Sequence, residues 1–137
     1  MIFKKIYISI LISFLFYNFV SSQEIIIISK VNNEIITNID IENEKKYLLL
    51  LNNNLNKLKE NEFFELAKNS LIREKIKKKE VDRVFNKQND NVENKIIKNF
   101  YNKLGFSKEK NFVDFLNKKK ISFDNLKEKL IIETLWN

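Results

Sequence analysis

A mainly α fold, opened by an N-terminal β-hairpin and continued by a compact array of about five helices, follows from three features of the sequence. The first is the segment Val31-Asn32-Asn33-Glu34-Ile35-Ile36-Thr37-Asn38-Ile39-Asp40-Ile41, which reads as a tight turn followed at once by a helix start. The second is a run of apolar residues at helical spacing from Asn38 to Trp136, punctuated by residues that cap or end helices. The third is the shortness of the connections: there is no internal repeat and no flexible linker, as suits helices packed as near neighbours.

In the hairpin, Asn32-Asn33 separates the apolar runs Ile25 to Ile28 and Ile35 to Ile36. Asparagine tolerates the positive φ that a two-residue loop demands, so two short strands are predicted. Thr37 is then placed as N-cap, its hydroxyl accepting from the Asp40 N–H while the Asp40 carboxylate accepts from the Thr37 N–H. Ile36 and Ile41 fall at the two positions of a hydrophobic staple, which fixes the helix start at Asn38. This first helix runs through Tyr47 to Leu51 and is weakened by Asn52-Asn53-Asn54. Its four consecutive leucines cannot share one face of a helix, so it is predicted to be covered on more than one side, by core or by a partner.

A second helix is predicted from about Glu60 to Phe85, with Phe63, Phe64, Ala67, Leu71, Val81 and Phe85 in one broad arc. Ile72 and Ile76 form a nearly opposite structural stripe, and the run Lys75 to Lys79 reads as a solvated face. Asn89 or Asp90 caps a third helix, with Val92, Ile96, Phe100 and Leu104 as its apolar stripe. Gly105, the one glycine, sits where a left-handed terminator is needed, and Phe106 can fold back as in a Schellman motif. Ser107 is the predicted cap of a fourth helix carrying Phe112, Phe115 and Leu116. Ser122 caps a fifth, from Phe123, Leu126, Leu130 and Ile131 to Leu135 and Trp136. The apolar helical pattern reaches Trp136-Asn137 without a stop signal, which predicts that the natural polypeptide continues.

The first 22 residues read differently. Lys4 and Lys5 precede an apolar stretch from Ile6 to Val20, and Val20-Ser21-Ser22 suits a signal peptidase, so residues 1–22 are predicted to be a signal peptide and 23–137 the mature domain. The alternative is an uncleaved anchor, tethering a helical interaction protein to the membrane. Spanning requires about twenty consecutive apolar residues, and Tyr7, Ser9, Ser13, Tyr17 and Asn18 interrupt this shorter stretch. No stable membrane insertion is expected after cleavage.

Composition removes most enzyme classes. The 137 residues contain no Cys and no His, hence no thiol nucleophile, thiolate metal site or imidazole base. No catalytic, cofactor-binding or metal-binding residue is proposed, and no cofactor. The formal charge of +7 and pI near 9.5 would ordinarily suggest nucleic acid. The lysines, however, are interleaved with acids, as in Lys57 to Glu65 and Lys108 to Asp114, and abundant Lys, Asn, Ile and Phe is the bias of A/T-rich coding. Nucleic acid is therefore not an expected partner.

Four stretches in order resemble one family. Val31-Asn32-Asn33-Glu34-Ile35-Ile36-Thr37 with Asp40-Ile41 resembles the opening of the SurA N-terminal chaperone domain, and Leu71-Ile72-Arg73-Glu74-Lys75 is similar to its Leu-Ile-x-Glu-Lys helix. Phe112 to Leu116 with Ile121-Ser122-Phe123 resembles its short helix and Ile-Ser-aromatic turn, and Leu126 to Trp136 its last helix. The similarity covers Ile25 to Asn137. The loop after Phe85 lacks the family's Gly, and nothing like a parvulin prolyl isomerase domain follows Trp136. The resemblance implies a periplasmic holdase for unfolded outer-membrane β-barrel precursors, with Tyr47, Phe63, Phe64, Phe112, Phe115 and Trp136 as candidate contacts. For each of these, ordinary core packing is the competing role. In the family a segment from the far C-terminus completes this domain; without it, uncovered apolar surface would promote self-association. The enzymatic alternative is the N-terminal part of a longer peptidyl-prolyl isomerase.

Overall fold

The computed structural model describes residues 24–84 and 90–137. The proposed signal peptide, Phe85 and Asn89 lie outside the described residues. Strands β1 (Ile27–Val31) and β2 (Glu34–Thr37) form an antiparallel hairpin. Helices α1 (Asn38–Leu51), α2 (Glu60–Val84), α3 (Asp90–Lys103), α4 (Glu109–Lys118) and α5 (Phe123–Trp136) follow, with a 3-10 turn (Asn53–Lys57) between the first two. Among the described residues, the mainly α fold with an N-terminal hairpin and five α-helices is thus the one predicted from sequence.

Asn32 takes the positive φ of the turn, at 55°, while Asn33 does not. Val31 pairs with Glu34, Lys30 with Ile35 and Ser29 with Ile36, and a bulge then intervenes before Ile27 meets Thr37. Ile28 and Val31, three residues apart, would face opposite sides of a regular strand; the extra residue lets both pack on the core beside Ile36. Thr37 closes both halves of the capping box: its N–H donates to Asp40 Oδ2 at 2.7 Å and its Oγ1 accepts from the Asp40 N–H at 3.3 Å. Asn38 secures the approach to β1, donating its N–H to the Ile26 carbonyl at 2.9 Å and accepting from the Ile26 N–H at 2.9 Å.

Two apolar clusters form the core. One gathers Ile36, Ile41, Ala67 and Leu71, with Ile28, Val31, Leu48, Phe64 and Ile72 around it. The other gathers Ile97, Tyr101, Phe112, Leu116 and Leu126 from α3, α4 and α5. Helix α1 serves both, Leu48 reaching the first and Tyr47 and Leu50 the second, which is why its leucines occupy more than one face. Leu51 remains half exposed.

Helix ends follow local rules with one substitution of residue type. Gly105 has φ 86°, its N–H donates to the Asn102 carbonyl at 2.9 Å, and the Phe106 N–H donates to the Tyr101 carbonyl at 3.0 Å, the paired bonds of a Schellman motif. The same pair recurs after α4, where Lys120 N–H meets Asn117 and Ile121 N–H meets Leu116, with Lys120 in the left-handed conformation at φ 55°.

Four expectations are corrected. Helix α3 buries Glu93, Ile97 and Tyr101, while Val92 and Leu104 of the predicted stripe are exposed and Ile96 and Phe100 half-buried. Apolar residues stand in adjacent pairs at 96–97 and 100–101, so two stripes compete, and the Lys127 ammonium, 2.9 Å from Glu93, makes burial of that carboxylate tolerable. Helix α4 starts at Glu109 with Lys108 at the cap and no side-chain cap bond, so Ser107 is not its N-cap. Ser122 does cap α5, accepting from the Asn125 N–H at 3.3 Å. Finally, the lysines from 75 to 79 are not simply solvated: Lys75, Lys77 and Lys78 pair with Glu34, Glu133 and Glu128 on neighbouring elements. Ile76 between them is half exposed, so the proposed second stripe ends at Ile72.

Candidate functional site

The six aromatic residues singled out from sequence do not form one surface. Phe112 is fully buried at the centre of an aromatic group, with ring centroids 5.5 Å from Phe106, 6.0 Å from Phe100 and Tyr101, and 6.4 Å from Phe123. Phe115 is half-buried on the edge of this group, 5.1 Å from Phe106. Phe63 is buried and Phe64 half-buried, with the Lys45 ammonium 5.8 Å and 6.0 Å from their rings. Tyr47 is half-buried, and only Trp136 of the six, 47% exposed, presents a large free surface.

The exposed apolar surface lies elsewhere. Ile25, Ile26 and Ile27 are 65%, 50% and 63% exposed, and Ile35 on β2 is 48% exposed. Period-two alternation carried the signal: four consecutive isoleucines entering a strand cannot all face one core, so some must face water.

Between the two apolar clusters lies a layer of charge. The Glu44 side chain is fully buried on α1, and its Oε2 lies 2.6 Å from the Lys129 ammonium of α5. That approach is an ion pair without hydrogen-bond alignment, and Oε1 has no hydrogen-bond donor at all. Lys129 also contacts Glu74 of α2 and lies 5.1 Å above the Tyr47 ring. Further along the α2–α5 seam, Lys77 meets Glu133 at 2.6 Å and Lys78 meets Glu128 at 2.7 Å. Burial, with Glu44 and Glu133 adding their negative charge, pushes the Tyr47 phenol up to about 12. The bond to Glu128 raises the Lys78 ammonium, outweighing the opposing effect of burial. For Lys45, burial pulls downward but the bonds to Glu60 and Glu42 leave it raised.

The layer opens into a cleft of about 300 Å³. Asp40, Glu44 and Tyr47 of α1 form one wall and Leu71 and Glu74 of α2 a second. Ile121 and Ser122 of the α4–α5 turn, with Asn125 and Lys129 of α5, form the third. Of these residues sequence reasoning singled out only Tyr47 as a candidate contact, because the lining comes from three separate segments and helical spacing does not show that they meet. No protein-family model matches the chain, nor does any curated protein or solved structure. The functional reading therefore rests on the residues themselves.

Proposed function

We propose that this chain is a secreted, periplasmic, non-enzymatic binding module that holds unfolded outer-membrane β-barrel precursors. The observation that supports it is the set of exposed isoleucines at the hairpin, Ile25 and Ile26 just before β1, Ile27 on β1 and Ile35 on β2, each about half exposed or more. Apolar side chains grouped on one exposed element favour association with other apolar chains, and the flanking strand backbone suits an extended partner. A chain without His or Cys lacks the commonest acid–base and nucleophilic groups, which agrees with binding in place of catalysis. The same surface gives the protein a route to self-association at high concentration.

Light scattering of a urea-unfolded porin diluted into buffer tests the reading. Stoichiometric protein, without nucleotide, should suppress aggregation, and the double variant Ile27→Ser, Ile35→Ser should lose most of that effect while keeping its helical circular dichroism. No suppression at several-fold excess of the wild type would refute the holdase reading.

A further inference from the structure

The formal charge of +7 is not spread evenly along the chain. Residues 24–84 interleave twelve basic with eleven acidic side chains. Between Asn94 and Lys120, however, eight lysines stand against two acids, Glu109 and Asp114, so a net charge of +6 falls on α3, α4 and the turns that follow them. The expectation that acids balance the lysines throughout fails for this stretch. All eight lysines are exposed, and among the described residues none of them forms an ion pair.

Local structure does not account for this charge. Lys103 and Lys118 stand in the last turns of α3 and α4, where a cation offsets the helix dipole. Lys108 and Lys110 stand at the start of α4, where the dipole disfavours a cation, and Lys108 fills the cap position without a side-chain bond. Lys95 and Lys98 are exposed on α3, outside its buried row of Glu93, Ile97 and Tyr101. Like charges grouped in this way repel one another, a cost that an anionic partner removes. Apolar surface lies among them. Leu104 is 37% exposed, and half-buried Phe106 lies 5.1 Å from half-buried Phe115, whose ring centre is 5.9 Å from the Lys119 ammonium.

We propose that the lysine-rich face of α3 and α4 docks peripherally on the surface of an anionic lipid bilayer, with its ammonium groups at the headgroup phosphates and Leu104 against the apolar border beneath them. Lysine suits such a partner, because its apolar stem lies along the interface while the ammonium reaches the headgroups. A bilayer presents diffuse negative charge, which lysines spread over two helices and a turn can meet without one fixed geometry. Nucleic acid is the competing polyanion. None of the eight cations is arginine, the side chain whose planar fork pairs with phosphates and base edges. The choice of lipid also rests on the proposed export of the chain, and the docking face lies on other elements than the hairpin isoleucines assigned to the client.

Co-sedimentation of residues 23–137 with vesicles tests this. Vesicles of phosphatidylcholine containing about 30% phosphatidylglycerol should bind the protein at least ten-fold more tightly than pure phosphatidylcholine, and salt at about 0.5 M should abolish most of the difference. The variant Lys103→Gln, Lys108→Gln, Lys118→Gln, Lys119→Gln should lose at least about ten-fold in affinity for the anionic vesicles. The control Lys30→Gln, Lys57→Gln, Lys59→Gln, Lys79→Gln removes the same charge from exposed lysines elsewhere and should lose less than about three-fold. Leu104→Ser should weaken binding about three-fold. All of these positions are exposed, so helical circular dichroism should be unchanged in every variant. Equal binding to neutral vesicles, equal losses in the two lysine variants, no effect of Leu104→Ser, or equally tight binding to duplex DNA at the same phosphate concentration would overturn the proposal. No porin enters this experiment, so its failure leaves the holdase reading standing, and loss of holdase activity leaves the vesicle assay readable.

Discussion

Replacing Lys129 by Met should be among the most damaging single changes in this chain, although it swaps one flexible side chain for another of similar length. The Lys129 ammonium lies 2.6 Å from a Glu44 carboxylate whose side chain has no solvent exposure. At an effective dielectric of about 20, that separation corresponds to about 6 kcal/mol of attraction. Part of it is offset in the wild type by the cost of desolvating both ions, so the net effect of losing one partner is smaller. Breaking such a pair typically costs about 3–5 kcal/mol, because a buried charge is left uncompensated. Against the roughly 5–15 kcal/mol that holds a domain of this size together, that is a large fraction. Urea titration followed by circular dichroism, with Trp136 fluorescence as a second probe, measures the loss. The double replacement Glu44→Met, Lys129→Met removes both charges and should recover most of it. A loss below about 1 kcal/mol in the single variant would show that the pair behaves as a solvent-screened surface contact and would refute the description of a buried charged layer.

Other outcomes follow from burial, backbone conformation and ionisation. Phe112→Ala should cost about 3–5 kcal/mol, since the ring is fully buried among four aromatic neighbours, whereas half-exposed Trp136→Ala should stay within about 1 kcal/mol by the same urea assay. Lys120→Gly should stabilise by about 0.5–1 kcal/mol by relieving a left-handed conformation, and Gly105→Ala should destabilise by about 1–2 kcal/mol for the opposite reason; thermal melts read both. Tyr47 keeps its proton to about 12 when folded but ionises near 10 when unfolded, so its contribution is complete below pH 10 and is lost as pH rises from 10 to 12. The loss amounts to about 2–3 kcal/mol and should be absent from the pH dependence of Tyr47→Phe. Lys45, also raised on folding, adds to the decline on the same alkaline side.

What could be read from sequence was governed by the range of the interactions. The hairpin turn at Asn32, the Thr37–Asp40 capping box, the Schellman end at Gly105 and the Ser122 cap are each complete within about six residues, and each was legible. The register of α3 was not, because two adjacent apolar stripes compete there and the deciding contact, Lys127 with Glu93, spans two helices. The lysines between 75 and 79 misled for the same reason: their partners Glu34, Glu128 and Glu133 are distant in the chain, so a cross-helix seam looked like a solvated face. For the candidate site the aromatic residues were a poor guide, since helical spacing marks which side chains face inward together but not whether a neighbouring helix covers them. Phe112 and Phe63 are covered, whereas Ile25, Ile26, Ile27 and Ile35 are exposed.

The charged layer explains why hydrophobic patterning alone gave an incomplete picture. Two apolar clusters of modest size meet across Glu44, Lys129 and Glu74, and α1 spans the boundary with Leu48 on one side and Tyr47 and Leu50 on the other. An apolar junction at this place would bind the two clusters more tightly but would accept many relative positions, because dispersion and hydrophobic contact are not directional. One ammonium between two carboxylates is directional, and it holds α5 against α1 and α2 in one register. A single arrangement of three side chains therefore ties together three helices that hydrophobic pattern alone would leave as separate neighbours.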